Sequence, residues 1–273
     1  MRWLLSSVLI GCYAPSPPEG LPCASNGACP DPLVCTAGHC QRDFVADDAA
    51  VDAFACKPIA AGAGMLTAPK IASPVLDGDL ADWPSCFEKL DPATNPKRDL
   101  DGTMRFLSGR FSIAHDGAQL YIAAEVDGIA PLGAQVPPGV YQNNSISIYL
   151  DGDGTFATMQ YDLDAMQFVV DHANRVQAFR RGATVTVPGV TTFAKTTGTR
   201  FTIEAAFESS AFGRIALSDT IGFDIGFEGG DGMEQYSETY WHQACSPPAC
   251  ECMNGQAAPY CDARMFGRAM LAP

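Results

Sequence analysis

From residue 104 onward, apolar and polar side chains largely alternate, as in Phe201-Thr202-Ile203-Glu204-Ala205-Ala206-Phe207. A period of two gives an extended segment one dry face and one wet face. The pattern predicts strands over 104–115, 119–127, 145–151, 158–170, 174–181, 183–196, 200–208, 221–228, 234–243 and 265–271. Asp116-Gly117, Gly152-Asp153-Gly154 and Gly229-Gly230-Asp231-Gly232 separate these runs with turn chemistry. No long stretch carries a helical period, and only Ser209–Arg214 has room for a single turn. Serial strands joined by turns, without helices, predict an all-β antiparallel β-sandwich over residues 70–273.

The segment ahead of it is organised differently. Residues 41–69 are rich in Ala, Asp and Gly and read as a linker. Residues 23–40 hold four cysteines spaced C-x₅-C-x₅-C-x₄-C, with Gly27, Pro30, Pro32 and Gly38 between them. So short a piece cannot build a hydrophobic core, so it reads as a small disulfide-rich module with three possible pairings. Residues 12–22 include Pro15, Pro17 and Pro18 and suit an extended tether.

The first residues bear on the compartment. Arg2 is followed by an apolar run ending Leu9-Ile10-Gly11-Cys12, an order that resembles a bacterial lipoprotein signal peptide with its lipobox. That resemblance implies a signal peptide over 1–11, cleavage before Cys12, and a lipid on the Cys12 thiol. The expected location is the bacterial cell envelope, lipid-anchored, at the outer membrane. Cysteine arithmetic agrees: of 11 cysteines, removing Cys12 leaves an even set, as an oxidising compartment favours. Cys56 and Cys86 fall between the clusters and are candidates to pair with each other. The C-x-C at Cys250 and Cys252 lacks the spacing of a zinc knuckle.

The formal net charge of −14 repels phosphate backbones, so no nucleic-acid partner is expected. Calcium and neutral sugars fit an acidic chain better. Asp151 and Asp153, around Gly152 in a tight turn, form a candidate calcium pair, and Asp77 and Asp79 form a similar one.

Several fragments resemble, in order, the family 9 carbohydrate-binding modules and their DOMON-like relatives. They are Pro74-Val-Leu-Asp77-Gly78-Asp-Leu-Ala-Asp82-Trp83, the stretch from His115 through Leu120-Tyr121 to Val126, Phe201-Thr-Ile-Glu204-Ala-Ala-Phe207, Ile221-Gly-Phe-Asp224-Ile225, and Met265-Phe266-Gly267 through Leu271. The resemblance covers about residues 70–273. It implies a jelly-roll β-sandwich that binds sugar chains between two aromatic side chains, with calcium in the framework. A pyranose stacks its C–H face on an aromatic ring while its hydroxyls need polar partners. The family's first aromatic and its acids lie in a W-x-x-D-S-V-E segment. Here that segment reads Tyr141-Gln-Asn-Asn144-Ser145-Ile-Ser147, so Asn144 and Ser147 replace both acids and the charged hydroxyl acceptor is missing. Tyr141 can still stack, and Trp241 falls where the family has a late aromatic. Trp83 is expected in the core. Arg180 and Arg181 end a strand, and Arg180 is a candidate donor to sugar hydroxyls.

The chain lacks Gly-x-Ser-x-Gly, His-Glu-x-x-His and a phosphate loop, so no enzyme is expected. Neither haem nor nucleotide is expected, although His115, His172, Met159 and Met166 are present. The expectation is non-catalytic glycan binding, with Tyr141, Asn144, Arg180 and Trp241 as site residues. The alternative is a structural or protein-interaction lipoprotein that has lost the sugar site.

Overall fold

The computed structural model describes residues 64–128, 132, 139–152, 164–180, 182–212, 220–243, 259–260 and 262–272, with 21–22, 24, 28–29, 33–36 and 39–42 nearer the start. The chain divides into two units, Met1–Ala53 and Phe54–Pro273.

In the first unit, β1 (Leu21–Pro22), β2 (Leu33–Thr36) and β3 (His39–Arg42) form a small antiparallel sheet in the order β1-β3-β2. Its register sets Cys35 opposite Cys40. Cys29 here, and Cys86 in the second unit, are each disulfide-bonded. Cys12, Cys56 and the cysteines of 245–261 lie outside the described residues.

The second unit is a two-sheet sandwich. Its strands are β4 (Met65–Ala68), β5 (Glu88–Leu90), β6 (Lys97–Asp99), β7 (Ser108–His115), β8 (Gln119–Asp127), β9 (Asn143–Asp151), β10 (Ala165–Asp171), β11 (Val176–Arg180), β12 (Ala183–Val185), β13 (Val190–Thr197), β14 (Arg200–Glu208), β15 (Thr220–Asp231), β16 (Gln235–Tyr240) and β17 (Gly267–Leu271). Five of them make one sheet in the order β13-β14-β8-β7-β5. The other sheet runs β12-β11-β10-β9-β15-β16-β6, with β17 also paired to β15 and β4 to β17. All pairs are antiparallel except β4 with β17. Among the described residues, the only helical pieces are short 3₁₀ turns such as Ser209–Phe212.

Alternation sets the core. Leu120, Ile122, Ala124 and Val126 of β8 face inward and meet Ile146, Ile148 and Leu150 of β9 and Ile221, Phe223, Ile225 and Phe227 of β15. Each fully buried large apolar side chain contributes about 1.5–3 kcal/mol, so this layer dominates the stability of the unit. The expected strands 119–127 and 200–208 match β8 and β14. The expected strand 183–196 is instead two strands in different sheets, β12 and β13. Pro188 offers no backbone donor and Gly189 has φ +73°, so the chain turns there. Strands β4, β5 and β6 carry no alternating pattern in their sequence, although β4 buries every second residue, and β4 lies within the segment expected to be linker.

The outer face of the five-stranded sheet is closed by the chain that precedes β5. Trp83 is 6% exposed and packs with Ala114, Tyr121, Ala123 and Ala206. Ile71, Leu76, Leu80 and Phe87 pack around this cluster. Glu204 projects outward from β14 into the strap: one oxygen accepts from Trp83 Nε1 at 2.7 Å and the other from the Asp77 and Gly78 amides. Gly78 holds φ +78°, a conformation side chains rarely adopt. Trp83 is therefore buried, as the sequence suggests, but in a separate apolar cluster on the outer face of this sheet and not between the two sheets.

Candidate functional site

The opposite outer face, on the nine-stranded sheet, is polar. Strand register shows why. Asp171, Ser145, Glu228, Glu238 and Arg98 are successive cross-strand partners on β10, β9, β15, β16 and β6. Directly paired residues share a face, so these side chains form one row across the sheet. The neighbouring row holds Ser147, Gly226 and Tyr240, and the next Phe179, Gln167 and Tyr149. The inward positions between them are the apolar residues of the core. A Cβ on Gly226 would stand 3.0 Å from the Tyr240 ring, so this glycine lets that ring lie over β15.

A pocket of about 350 Å³ opens on this face, lined by Arg98, Tyr141, Gln167, Phe179, Glu228, Gln235, Glu238 and Tyr260 among others. Tyr141 stands on the 3₁₀ turn Val140–Gln142 just before β9. Its ring lies 6.3 Å from Phe179 at 57°, and it is 36% exposed. On the β6 side, the Arg98 guanidinium lies 5.3 Å from the Tyr260 ring centre. The mouth thus offers apolar ring surface at both ends of a polar floor.

The floor centres on two carboxyl groups. Glu238 pairs with Arg98 at 2.5 Å, and also accepts from Gln235 Nε2 at 3.0 Å and from the Tyr240 hydroxyl. Glu228 accepts from the Ser147 and Ser145 hydroxyls. Gln167 Nε2 donates to Ser147 Oγ at 3.0 Å and so orients that hydroxyl. Burial and then the neighbouring Glu238 charge push the Glu228 carboxyl up to about 8, against the two serine hydroxyls and Arg98, which hold it down. A protonated acid donates a hydrogen bond and a carboxylate accepts one, so this floor can do both.

The expected site residues divide across the sheet. Tyr141 lines the pocket. Trp241 does not. It follows Tyr240 by one step, so it turns to the other face, 6.0 Å from the Phe111 ring and 5.8 Å from Phe223. A Cβ on Gly267 would meet the Trp241 ring at 2.5 Å, so the closing strand is shaped around that indole. Asn144 is also on the inward row: it is fully buried, and its amide donates to the Gly230 carbonyl at the irregular pairing of β15 with β16. Arg180 follows Phe179 by one step and sets its guanidinium against the Met166 sulfur at 3.0 Å. It is Phe179, not Arg180, that β11 presents to the pocket.

Asp151 is buried at the end of β9, while Asp153 lies outside the described residues. Among the described residues, no three His, Cys, Asp or Glu side chains gather to hold a metal ion, so these residues supply only part of a calcium site. Asp77 and Asp79 are engaged otherwise: Asp77 accepts from the Asp79 amide, and Asp79 caps the Leu80–Asp82 turn.

Adjacent strands place acids beside the Tyr141–Ser147 segment. Glu228 and Glu238 occupy polar positions in the predicted strands 221–228 and 234–243. The alternation of Ile221, Phe223, Ile225 and Phe227 already sets Glu228 on the wet face. No alternating pattern marks the short strand carrying Arg98, and nothing in the sequence ties Tyr260 to this face.

A family model described as carbohydrate family 9 binding domain-like matches residues 77–272. No curated protein matches the chain. Among solved structures, a family 9 carbohydrate-binding module from Caldicellulosiruptor kristjanssonii in complex with cellotriose is 19% identical, with TM-score 0.57 over 76% of this chain and 93% of that one. The same type of module from that organism in complex with glucose is 18% identical, with TM-score 0.57 over 76% and 95%. A Bacteroides uniformis protein is 16% identical, with TM-score 0.53 over 76% and 99%. At these identities the structures share the sandwich fold.

Proposed function

The chain belongs to the carbohydrate family 9 binding domain-like family, and from that premise we propose that it binds a glycan without catalysis. The observation that carries this reading is the pocket on the nine-stranded sheet. Aromatic rings of Tyr141, Phe179 and Tyr260 border a floor of Glu228, Glu238, Arg98 and Gln167. The rings suit the apolar face of a sugar, and the floor suits its hydroxyls. The relatives solved with cellotriose and glucose make these two saccharides natural probes.

In this reading the protein is exported and held at the cell envelope by a lipid on Cys12, with the residues ahead of β4 as spacer. The order Leu9-Ile10-Gly11-Cys12 and the cysteine count support that part of the proposal. Metabolic labelling with a tagged fatty acid tests it: label incorporated by the wild type and lost in Cys12→Ala is expected.

Isothermal titration of the full chain with glucose and cellotriose tests the glycan reading. Binding that is detected by its heat and weakened in Tyr141→Ala is expected. A folded chain giving no heat with either saccharide would turn the reading toward a structural or protein-interaction role.

A further inference from the structure

Among the described residues, the pocket floor contains two carboxyl groups and one cation, and the three are not shared equally. The Arg98 guanidinium bonds Glu238, which also receives Gln235 and the Tyr240 hydroxyl. Glu228, its direct cross-strand partner, is 1% exposed and receives only the hydroxyls of Ser145 and Ser147. Hydroxyls can rotate to accept instead of donate, so these partners serve a neutral acid as well as a carboxylate. Two adjacent carboxylates that share one guanidinium, bonded to only one of them, do not both ionise cheaply. The other charged or titratable groups among the described residues on this face do not relieve Glu228: Asp224, further along β15 opposite Tyr149, is itself a buried acid that accepts from the Ile225 and His242 amides. Tyr240 is spent on Glu238, and beyond Ser145 lies Asp171, already paired with Arg175 at 2.6 Å. Tyr149 faces this side one strand away, and Tyr260 lies over Arg98.

We propose that Glu228 and Glu238 form an unequal pair in the binding pocket: Glu238 is the fixed carboxylate that accepts a hydrogen bond from a ligand, and Glu228 keeps its proton and donates a hydrogen bond to a ligand oxygen. The inference deepens the glycan reading and rests on it only for the identity of the ligand. The position of Glu228 beside Ser147 gives the arrangement its logic: an acid that β9 lacks is replaced from β15 by one that β9's own serines surround. With Arg98 balanced by Glu238 and Glu228 neutral, the described residues of the floor carry no net charge. It therefore favours a neutral saccharide over a uronate, whose carboxylate would face Glu238.

The decisive measurement is ¹³C NMR of the side-chain carboxyl groups in the full chain between pH 4 and 10, with Glu228 assigned by its loss in Glu228→Gln. A Glu228 midpoint well above the ordinary glutamate range, moved higher by cellotriose, is the expected result. A Glu228 midpoint in the ordinary range would overturn the proposal. Calorimetry with cellotriose gives the second reading. Wild-type affinity should fall at least tenfold from pH 6 to pH 9.5, whereas Glu228→Gln should bind more weakly but without that dependence. The same alkaline loss in Glu228→Gln would assign it to another group and overturn the donor role. If neither saccharide binds while Glu228 still titrates high, the unequal pair stands and the glycan reading fails.

Discussion

The two outer faces of the sandwich each bury a glutamate, and they use it in opposite ways. On the five-stranded sheet, Glu204 meets two backbone amides and an indole N–H, all fixed by the fold. Its oxygens are fully occupied, and the strap carrying Trp83 closes over them. On the nine-stranded sheet, Glu228 meets two rotatable hydroxyls and a second carboxyl, under an open pocket. Burial displaces both carboxyls upward, yet only Glu228 is left with chemistry to offer. Burial alone does not mark a functional acid; the nature of its partners does.

Removing the closed face should cost most. Trp83→Ala leaves a cavity and strips Glu204 of a donor, so about 3–5 kcal/mol of stability should be lost, read by urea unfolding. The pocket's saccharide affinity should be unchanged where the variant stays folded.

The pH dependence of stability separates the two glutamates next. Glu228 binds its proton more tightly in the folded chain than in the unfolded one. Its contribution is therefore fully present below the ordinary glutamate range and is lost as pH rises toward about 8. Unfolding midpoints measured from pH 5 to 9 should fall with rising pH, by on the order of a few kcal/mol overall. Glu228→Gln should remove a larger part of that slope than Glu204→Gln does, with the remainder left to Asp224, whose carboxyl is also pushed well up by burial.

A smaller effect tests the open face. Tyr141→Ala should weaken cellotriose binding about 10–100-fold, roughly 1.4–3 kcal/mol, with little change in stability, because the ring is part exposed. Trp241→Ala should reverse this, destabilising the chain by breaking its contacts with Phe111 and Phe223. The smallest expected effect is that of Arg180→Ala, under about twofold on binding, since its guanidinium lies against Met166.

The sandwich was legible in the sequence because alternation follows directly from burying one face of a strand. β8 and β14 could be bounded to the residue for that reason. β4, β5 and β6 could not, since strands of three or four residues make too little pattern to read. The site was half legible. Tyr141 was reachable through the resemblance. Trp241, Asn144 and Arg180 were placed one step out of phase with the strand face that lines the pocket. Counting faces from Ile225 and Phe227 would have exchanged Trp241 for Tyr240 and exposed Glu228 and Glu238. Arg98 and Tyr260 depend on pairings between distant segments, which periodicity does not encode.

β4 and β17 come from opposite ends of the second unit and lie side by side, the one parallel pair in the sandwich. Their contact closes a loop containing nearly the entire unit, so its entropy cost must be met by structure already formed. Folding of this edge therefore waits for synthesis to reach Leu271. A nascent chain halted before that point would hold the β15 edge unpaired at Thr220–Phe223, a template for another chain. In kinetic terms, β17, which follows all the other described strands of the sandwich, is also the guard against aggregation.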